Sequence, residues 1–362
     1  MEIAFFGSSL VSAYWNGAAT YYRGIIRALW RRGHRTTFYE PDAYERQAHR
    51  DMDDPPWARV VVYSAEGEDG VRRALDEARG ADLIVKASGV GVFDALLEEA
   101  VPAMRRAGAL AAFWDVDAPA TLDRMAADPS DALRALIPCY DLVLTYGGGE
   151  PVVAAYHALG ARECAPVYNA VDPETHHPVP PEARYAGDLG FLGNRLPDRE
   201  GRVTTFFFDA AAARPAARFL LGGNGWETRA MPANVCYLGH VYTRDHNAFN
   251  CSLRMVLNVA RESMARYGYS PATRVFEAAG AGACLITDAW EGIEQFLEPG
   301  REILVASDGA EVAAHLDGVD VRAARAVGEA ARRRVLAAHT YDHRAEQLEQ
   351  LLNGHVGAGG GP

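Results

Sequence analysis

Pro166-Val167-Tyr168-Asn169-Ala170-Val171-Asp172-Pro173 opens the stretch on which the reading of the fold turns. It runs on to Gly187 through the adjacent histidines His176 and His177 and through further prolines at 178, 180 and 181. Proline lacks an N–H and fixes φ, so five of them between 166 and 187 break any regular element. The segment reads as a linker, and the two histidines read as part of it.

The chain alternates strand and helix on both sides of that break. Glu2–Phe6 is a short apolar run closed by Gly7. Tyr22, Ile25, Ile26, Leu29 and Trp30 then follow at helical spacing up to Gly33. Strands are predicted at 36–39, 60–63, 83–85, 110–114 and 142–144, with helices at 71–79, 91–106 and after Gly147-Gly148-Gly149. Beyond the linker, strands are predicted at 189–192, 219–221, 235–238, 255–258 and 285–286, and helices at 200–213, 272–281, 308–316, 320–338 and 342–353. This alternation predicts an α/β chain with two doubly wound, Rossmann-like domains of parallel sheet. The expected division is 1–168, a linker at 169–187, a second domain at 188–338, a terminal helix at 339–353 and a disordered glycine-rich tail at 354–362. Two such sheets joined by one linker are expected to face a central cleft, with ligands at the loops after the strands.

Composition removes several chemistries. The chain has 362 residues, and its 36 basic side chains are 35 arginines and one lysine, Lys86. Val85-Lys86-Ala87 is not the Gly-Lys-Ser/Thr context of a phosphate loop, and no His-Arg-Asp kinase loop follows it. A Schiff-base enzyme would have to use Lys86. The net charge of −12 argues against non-specific nucleic-acid binding. Five cysteines, odd in number and widely spaced, form neither a zinc pattern nor a disulfide framework, which predicts a reducing, cytoplasmic setting. No apolar run is long enough for a transmembrane segment.

The motifs resemble those of one superfamily. Tyr168–Pro173 resembles the Asn-Gly-Val-Asp hinge of GT-B glycosyltransferases, with Ala170 in place of the glycine. Phe191-Leu192-Gly193-Asn194-Arg195 with Arg199-Glu200-Gly201 resembles their Gly-Arg…Lys-Gly segment. Leu220–Gly225 resembles the glycine loop after the second donor-domain strand, and Val235–Val241 the strand whose following turn touches the nucleobase. Arg274-Val275-Phe276-Glu277-Ala278-Ala279-Gly280 resembles the Glu-Ala-x-Ala-x-Gly helix whose glutamate holds the ribose. The four follow one another in the order that superfamily uses, over about 120 residues. Leu257-Asn258, Arg261, Ser270-Pro271-x-Thr273-Arg274 and the ending His339–Arg344 are similar to the CgeB-like branch, near the group-1 glycosyltransferases. One position departs from the pattern. Group-1 enzymes carry two glutamates eight residues apart, and eight residues before Glu277 stands Tyr269.

The resemblance implies a metal-independent glycosyltransferase of hexosyl type and a nucleoside diphosphate sugar as donor substrate, a UDP-sugar first, with no separate cofactor. The partner on the other side would be a small-molecule, glycan or protein acceptor. A leaving diphosphate gains charge in the transition state and needs donors aimed at it. Arginine forks suit phosphate oxygens. Arg195 at a strand end and Arg274 at a helix start are placed for this, with Arg199 and Arg261 behind them, and the 35-to-1 ratio predicts an all-arginine cradle. Ser270 ahead of Pro271 and Thr273 reads as a helix cap whose free amides can hold phosphate. Glu277 lies one turn after Arg274 and is assigned to the ribose hydroxyls. Gly193, Asn194, Gly223, Asn224, Gly239 and His240 line the expected donor loops, with Trp226 beside them. Gly17, between the first strand and helix, would lie over the diphosphate.

In the first half, Asp115 and Asp117 close the strand ending Trp114-Asp115-Val116-Asp117. A strand-end aspartate can act as general base for an acceptor hydroxyl. The same residues spell the Asp-x-Asp metal motif of GT-A enzymes, a reading that leaves the second half unexplained. Lys86 ends another strand and is a third catalytic candidate. Two other readings use the same fold: a non-catalytic sugar-nucleotide-binding or maturation protein, and a sugar-nucleotide epimerase.

Overall fold

In the computed structural model, residues 1–358 are described, and the chain divides into two compact units. Met1–Tyr168 with the described residues from Tyr341 to Ala358 form the first, and Asn169–Thr340 the second. From Asn169 onward the proline-rich segment belongs to the second unit rather than standing apart. Asn169 Nδ2 donates to the Pro271 carbonyl at 2.9 Å, and Val171 bridges to Thr340.

The first unit holds seven parallel strands: β1 (Glu2–Phe6), β2 (Arg35–Asp42), β3 (Arg59–Ser64), β4 (Leu83–Ala87), β5 (Leu110–Asp115), β6 (Leu142–Thr145) and β7 (Cys164–Pro166). They lie in the order β3-β2-β1-β4-β5-β6-β7. All five residues of β4 are buried, as expected of a parallel strand covered on both faces. The terminal helix, Tyr341–Ala358, packs on helix Ala19–Arg31. A Cβ on Gly24 would fall 2.1 Å from the Tyr341 ring, so glycine sets how closely the two helices approach. This helix runs past Gly354, where a disordered tail is expected; residues 359–362 lie outside the described residues.

The second unit holds six parallel strands: β8 (Gly187–Leu192), β9 (Phe219–Gly222), β10 (Val235–Gly239), β11 (Leu253–Asn258), β12 (Leu285–Asp288) and β13 (Leu304–Ala306). Their order is β10-β9-β8-β11-β12-β13. The helix from Pro197 to Ala213 widens to π geometry over Thr204–Phe208. Its wider turn brings three successive phenylalanines, 206 to 208, into the core together with Trp226. Among the described residues no helix is long and apolar enough to cross a membrane, and all five cysteines are free.

Both orders reverse once, at β1/β4 and at β8/β11. In a doubly wound sheet the loops leaving the carboxyl ends at that reversal diverge and open a crevice for ligands.

Candidate functional site

At the β8/β11 reversal the turns after β8, β9 and β10 are laced together by backbone. Gly193 N–H donates to Gly222 O at 2.8 Å and Gly223 N–H to Gly239 O at 2.8 Å. Asn194 Oδ1 accepts from Asn224 N–H at 2.9 Å, and Asn224 O from Arg195 N–H at 2.9 Å. Gly223 has φ +123°, and a Cβ there would stand 2.3 Å from Gly193 O. Only glycine permits this approach. Trp226 lies in the core instead of a cleft wall, and its Nε1 donates to Gly193 O at 2.7 Å, bracing the strip from below. Among the described residues Asn224 Nδ2 is buried without a hydrogen-bond partner. His240 is half-buried and meets the Tyr242 ring edge-on at 4.5 Å.

The arginines expected around a diphosphate separate into two groups. Arg195 pairs with Glu200 at 2.7 Å and holds that carboxyl below its usual range. It also donates to Thr228 Oγ1 at 3.2 Å. Arg199 donates to Asn194 O at 2.6 Å, and Arg261 pairs with Asp198 at 2.6 Å. These three shape the loops. Arg274 makes no hydrogen bond or ion pair among the described residues and stands 5.3 Å over the Phe191 ring. It is half-buried, and loss of water pushes its pKa down to about 10, with Glu277 pulling the other way. A guanidinium with unspent donors, partly stripped of water, is a receptor for an anion.

Arg274 lies in the first turn of helix Thr273–Gly280. Contrary to expectation, Ser270 does not cap this helix. Its N-cap is Ala272, and Ser270 Oγ donates to Gly268 O at 2.8 Å. The first-turn amides are therefore left without a side-chain cap, and Thr273 is the first helical residue. The preceding turn is strained: Gly268 has φ +70° and Tyr269 φ +47°. Tyr269, at the place of the group-1 glutamate, donates its hydroxyl to Glu291 at 3.0 Å, and its N–H bonds Glu291 O at 2.6 Å. A carboxylate thus sits beside position 269 although none stands there in the chain, and no sequence signal pointed to Glu291.

Glu277 is 7% exposed and faces two imidazoles. His176 Nε2 lies 3.9 Å from one carboxylate oxygen, and His246 Nδ1 lies 3.8 Å from the other. His176 is a buried side chain of this unit rather than an exposed part of a linker. Burial pushes the His246 pKa down, with Glu277 opposing and His176 and Arg274 reinforcing. Neither histidine was expected here.

The first unit places its candidates differently. Asp115 is fully buried and both oxygens are taken. Oδ1 accepts from Ser88 Oγ at 2.6 Å, Asp117 N–H at 3.0 Å and Thr121 Oγ1 at 3.1 Å, and Oδ2 accepts from Tyr156. Burial and that carboxylate keep the Tyr156 hydroxyl protonated. Asp115 therefore ties together the elements around β5 and presents no free edge to an acceptor. Asp117 is half-buried at the start of helix Ala118–Ala127. Lys86 is also fully buried; it donates to Asp94 at 2.5 Å and Glu98 at 3.2 Å, both on helix Asp94–Met104. Gly17 is exposed, next to Asn16, whose side chain bonds Ser8, Ser9 and Ser12 and fixes the loop after β1.

Known proteins share this architecture. Residues 199–350 match the family model described as glycosyl transferase-like. No curated protein matches the chain. Among solved structures, sucrose-phosphate synthase from Thermosynechococcus elongatus superposes with TM-score 0.69 at 16% identity, covering 99% of this chain and 100% of that one. HepE of Anabaena, solved in complex with UDP-glucose, gives TM-score 0.70 at 14% identity, with 98% and 100% covered. The E. coli protein described as trehalose-6-phosphate, bound with UDP-2-fluoro glucose, gives 0.66 at 12%, with 97% and 99% covered. The chain has the GT-B fold, and its match to the glycosyl transferase-like family model lies within residues 199–350.

Proposed function

We propose that this protein is a glycosyltransferase that binds a nucleoside diphosphate sugar at the carboxyl edge of the β8–β13 sheet and transfers the sugar to an acceptor, without a catalytic metal. The observation that carries the reading is Arg274, a half-buried guanidinium with no hydrogen-bond partner among the described residues. It stands at an uncapped helix start and on the same helix as Glu277. In this reading the diphosphate takes the Arg274 fork and the first-turn amides, which stabilise the departing charge. Glu277 accepts from the ribose hydroxyls. The turns at Gly193–Arg195, Gly223–Asn224 and Gly239–His240 line the remainder of the nucleotide.

UDP is the favoured nucleotide, because HepE was solved with UDP-glucose and the E. coli neighbour with UDP-2-fluoro glucose. The motif resemblance supports membership of the CgeB-like branch, and transfer of a hexose is proposed on the same resemblance. The acceptor would meet the first unit, where Asp117, half-buried at the start of helix Ala118–Ala127, is taken as the base in preference to Asp115, whose two oxygens already accept four hydrogen bonds. A thermal-shift panel of UDP, GDP, dTDP and ADP tests the donor reading, since a ligand of the folded state raises the midpoint. A rise with UDP larger than with the others is expected; no rise with any of the four overturns it.

A second reading draws on Tyr269, which removes the group-1 glutamate from its place. It describes a sugar-nucleotide-binding protein without turnover. Incubation with UDP-sugars and a panel of hydroxyl acceptors separates the two: release of free UDP supports the transferase, and tight donor binding with none released supports the binding protein.

A further inference from the structure

The cluster around Glu277 has more in it than a ribose contact requires. Its three members come from three segments: His176 from the proline-rich stretch, His246 from helix Thr243–Ser252 and Glu277 from helix Thr273–Gly280. One ligand atom from each lies within 4.8 Å of the others. The two nitrogen–oxygen separations, 3.9 and 3.8 Å, are too long for hydrogen bonds. They are a few tenths of an ångström wider than the roughly 3.3–3.4 Å between ligands bound at about 2.0–2.1 Å in a tetrahedral zinc site.

The surroundings orient the ligand atoms. His246 Nε2 lies 3.3 Å from Val241 O, which only a ring N–H can satisfy. That contact puts the proton on Nε2 and leaves a lone pair on Nδ1, turned toward Glu277. A metal-bound histidine almost always anchors its other nitrogen in this way. Among the described residues, Nδ1 itself is buried without a hydrogen bond. His176 is held by its chain. Its N–H bonds Asp172 O at 2.8 Å, and Asn247 clamps the residues on either side through Thr175 O at 2.8 Å and His177 N–H at 3.3 Å. A Cβ on Gly280 would stand 3.0 Å from His176 O, so the glycine lets the helix bearing Glu277 approach this segment.

We infer that His176, His246 and Glu277 form a binding site for a divalent cation of the zinc class. Two imidazoles and one carboxylate are the donor set such ions take, and three protein ligands leave one position open. Arg274 is a positive group facing His246, and its charge opposes the cation, so binding is reversible and weaker than in a structural zinc site. A cation here uses the carboxylate that the proposed donor needs. Zinc and nucleotide therefore exclude one another, and zinc inhibits transfer. This consequence rests on the ribose assignment; the cation site does not.

The test is a titration of Zn²⁺ into chelator-treated, dialysed full-length protein against a chromophoric competitor, with Co²⁺ absorption as a second readout. One ion per chain is expected, with a tetrahedral cobalt spectrum free of thiolate charge-transfer bands. Affinity should fall about tenfold or more in His246→Ala, His246→Asn and Glu277→Gln. It should be unchanged in His177→Ala, whose side chain is exposed. Circular dichroism identifies any variant that fails to fold, and the milder His246→Asn keeps the test decisive. Binding unchanged in folded His246→Asn, or no binding in the parent protein, overturns the site. A UDP titration in the presence of Zn²⁺ then checks the consequence. If zinc binds and is lost in the variants, yet UDP affinity ignores both zinc and Glu277→Gln, the cation site stands and the ribose assignment falls.

Discussion

Arg274, Asp115 and Lys86 show how one side chain's surroundings decide its role. Asp115 accepts four hydrogen bonds at full burial. Asp115→Asn is expected to cost about 1–3 kcal/mol in chemical denaturation, because an amide presents a donor where donors already point. Asp117→Asn should reduce turnover in protein that circular dichroism shows to be folded; full turnover there would return the base role to Asp115. Lys86 gives a similar contrast. Replacing it with Met leaves Glu98, whose carboxyl burial already pushes upward, without its cation. A loss of roughly 3–5 kcal/mol is expected, read as a lower denaturation midpoint. Both residues end strands, and strand ends in such sheets often carry function. What the chain alone does not show is that helix Asp94–Met104 brings two carboxylates to Lys86, or that Ser88, Thr121 and Tyr156 close on Asp115. Arg274 and Glu277 were legible because helical spacing is local: residues three apart share a face wherever the helix packs. His176 and His246 were not, because their meeting at Glu277 depends on how distant segments pack.

Elements were read well where the pattern is long. Of the thirteen strands among the described residues, those missed from sequence are β7 and β13, three residues each, too short to show periodicity. They lie at sheet edges, where little apolar area marks them. The turns after β8 and β9 depend on Gly223, and Gly223→Ala must move Gly193 O. Weakened UDP binding with a clear drop in midpoint is expected, since the added Cβ meets backbone and φ at this residue is +123°. The terminal helix gives a pH test. Hydrogen bonds from Arg32 and then His34 hold the Glu349 carboxyl below its usual range. The unfolded chain takes up that proton first as pH falls, near its ordinary value of 4.5, so the pairing stabilises fully above that pH and its contribution fades as pH falls from there through the lowered folded value. Glu349→Gln should lower the thermal midpoint at pH 7 and lower it by less at pH 3.5. Equal shifts at both pH values would mean that the contact acts through packing instead.

At the scale of the molecule, two parallel sheets, each reversing its strand order once, account for where polar groups gather. The alternation of strand and helix on either side of residues 166–187 was enough to read this architecture, because each short apolar run predicts a buried parallel strand without any partner being known. Which arginines serve a ligand was not legible. Composition predicted a cradle of arginines, whereas three of the four candidates are engaged with Glu200, Asn194 or Asp198. Arg274 alone of the four makes no hydrogen bond or ion pair among the described residues. Isothermal titration of UDP into the parent protein and into Arg274→Ala, both freed of metal, therefore tests the account most directly. Loss of a charged hydrogen bond is worth roughly 1.5–3 kcal/mol, so the dissociation constant should rise about 10- to 150-fold. An affinity within about twofold of the parent's would mean that the diphosphate does not meet Arg274.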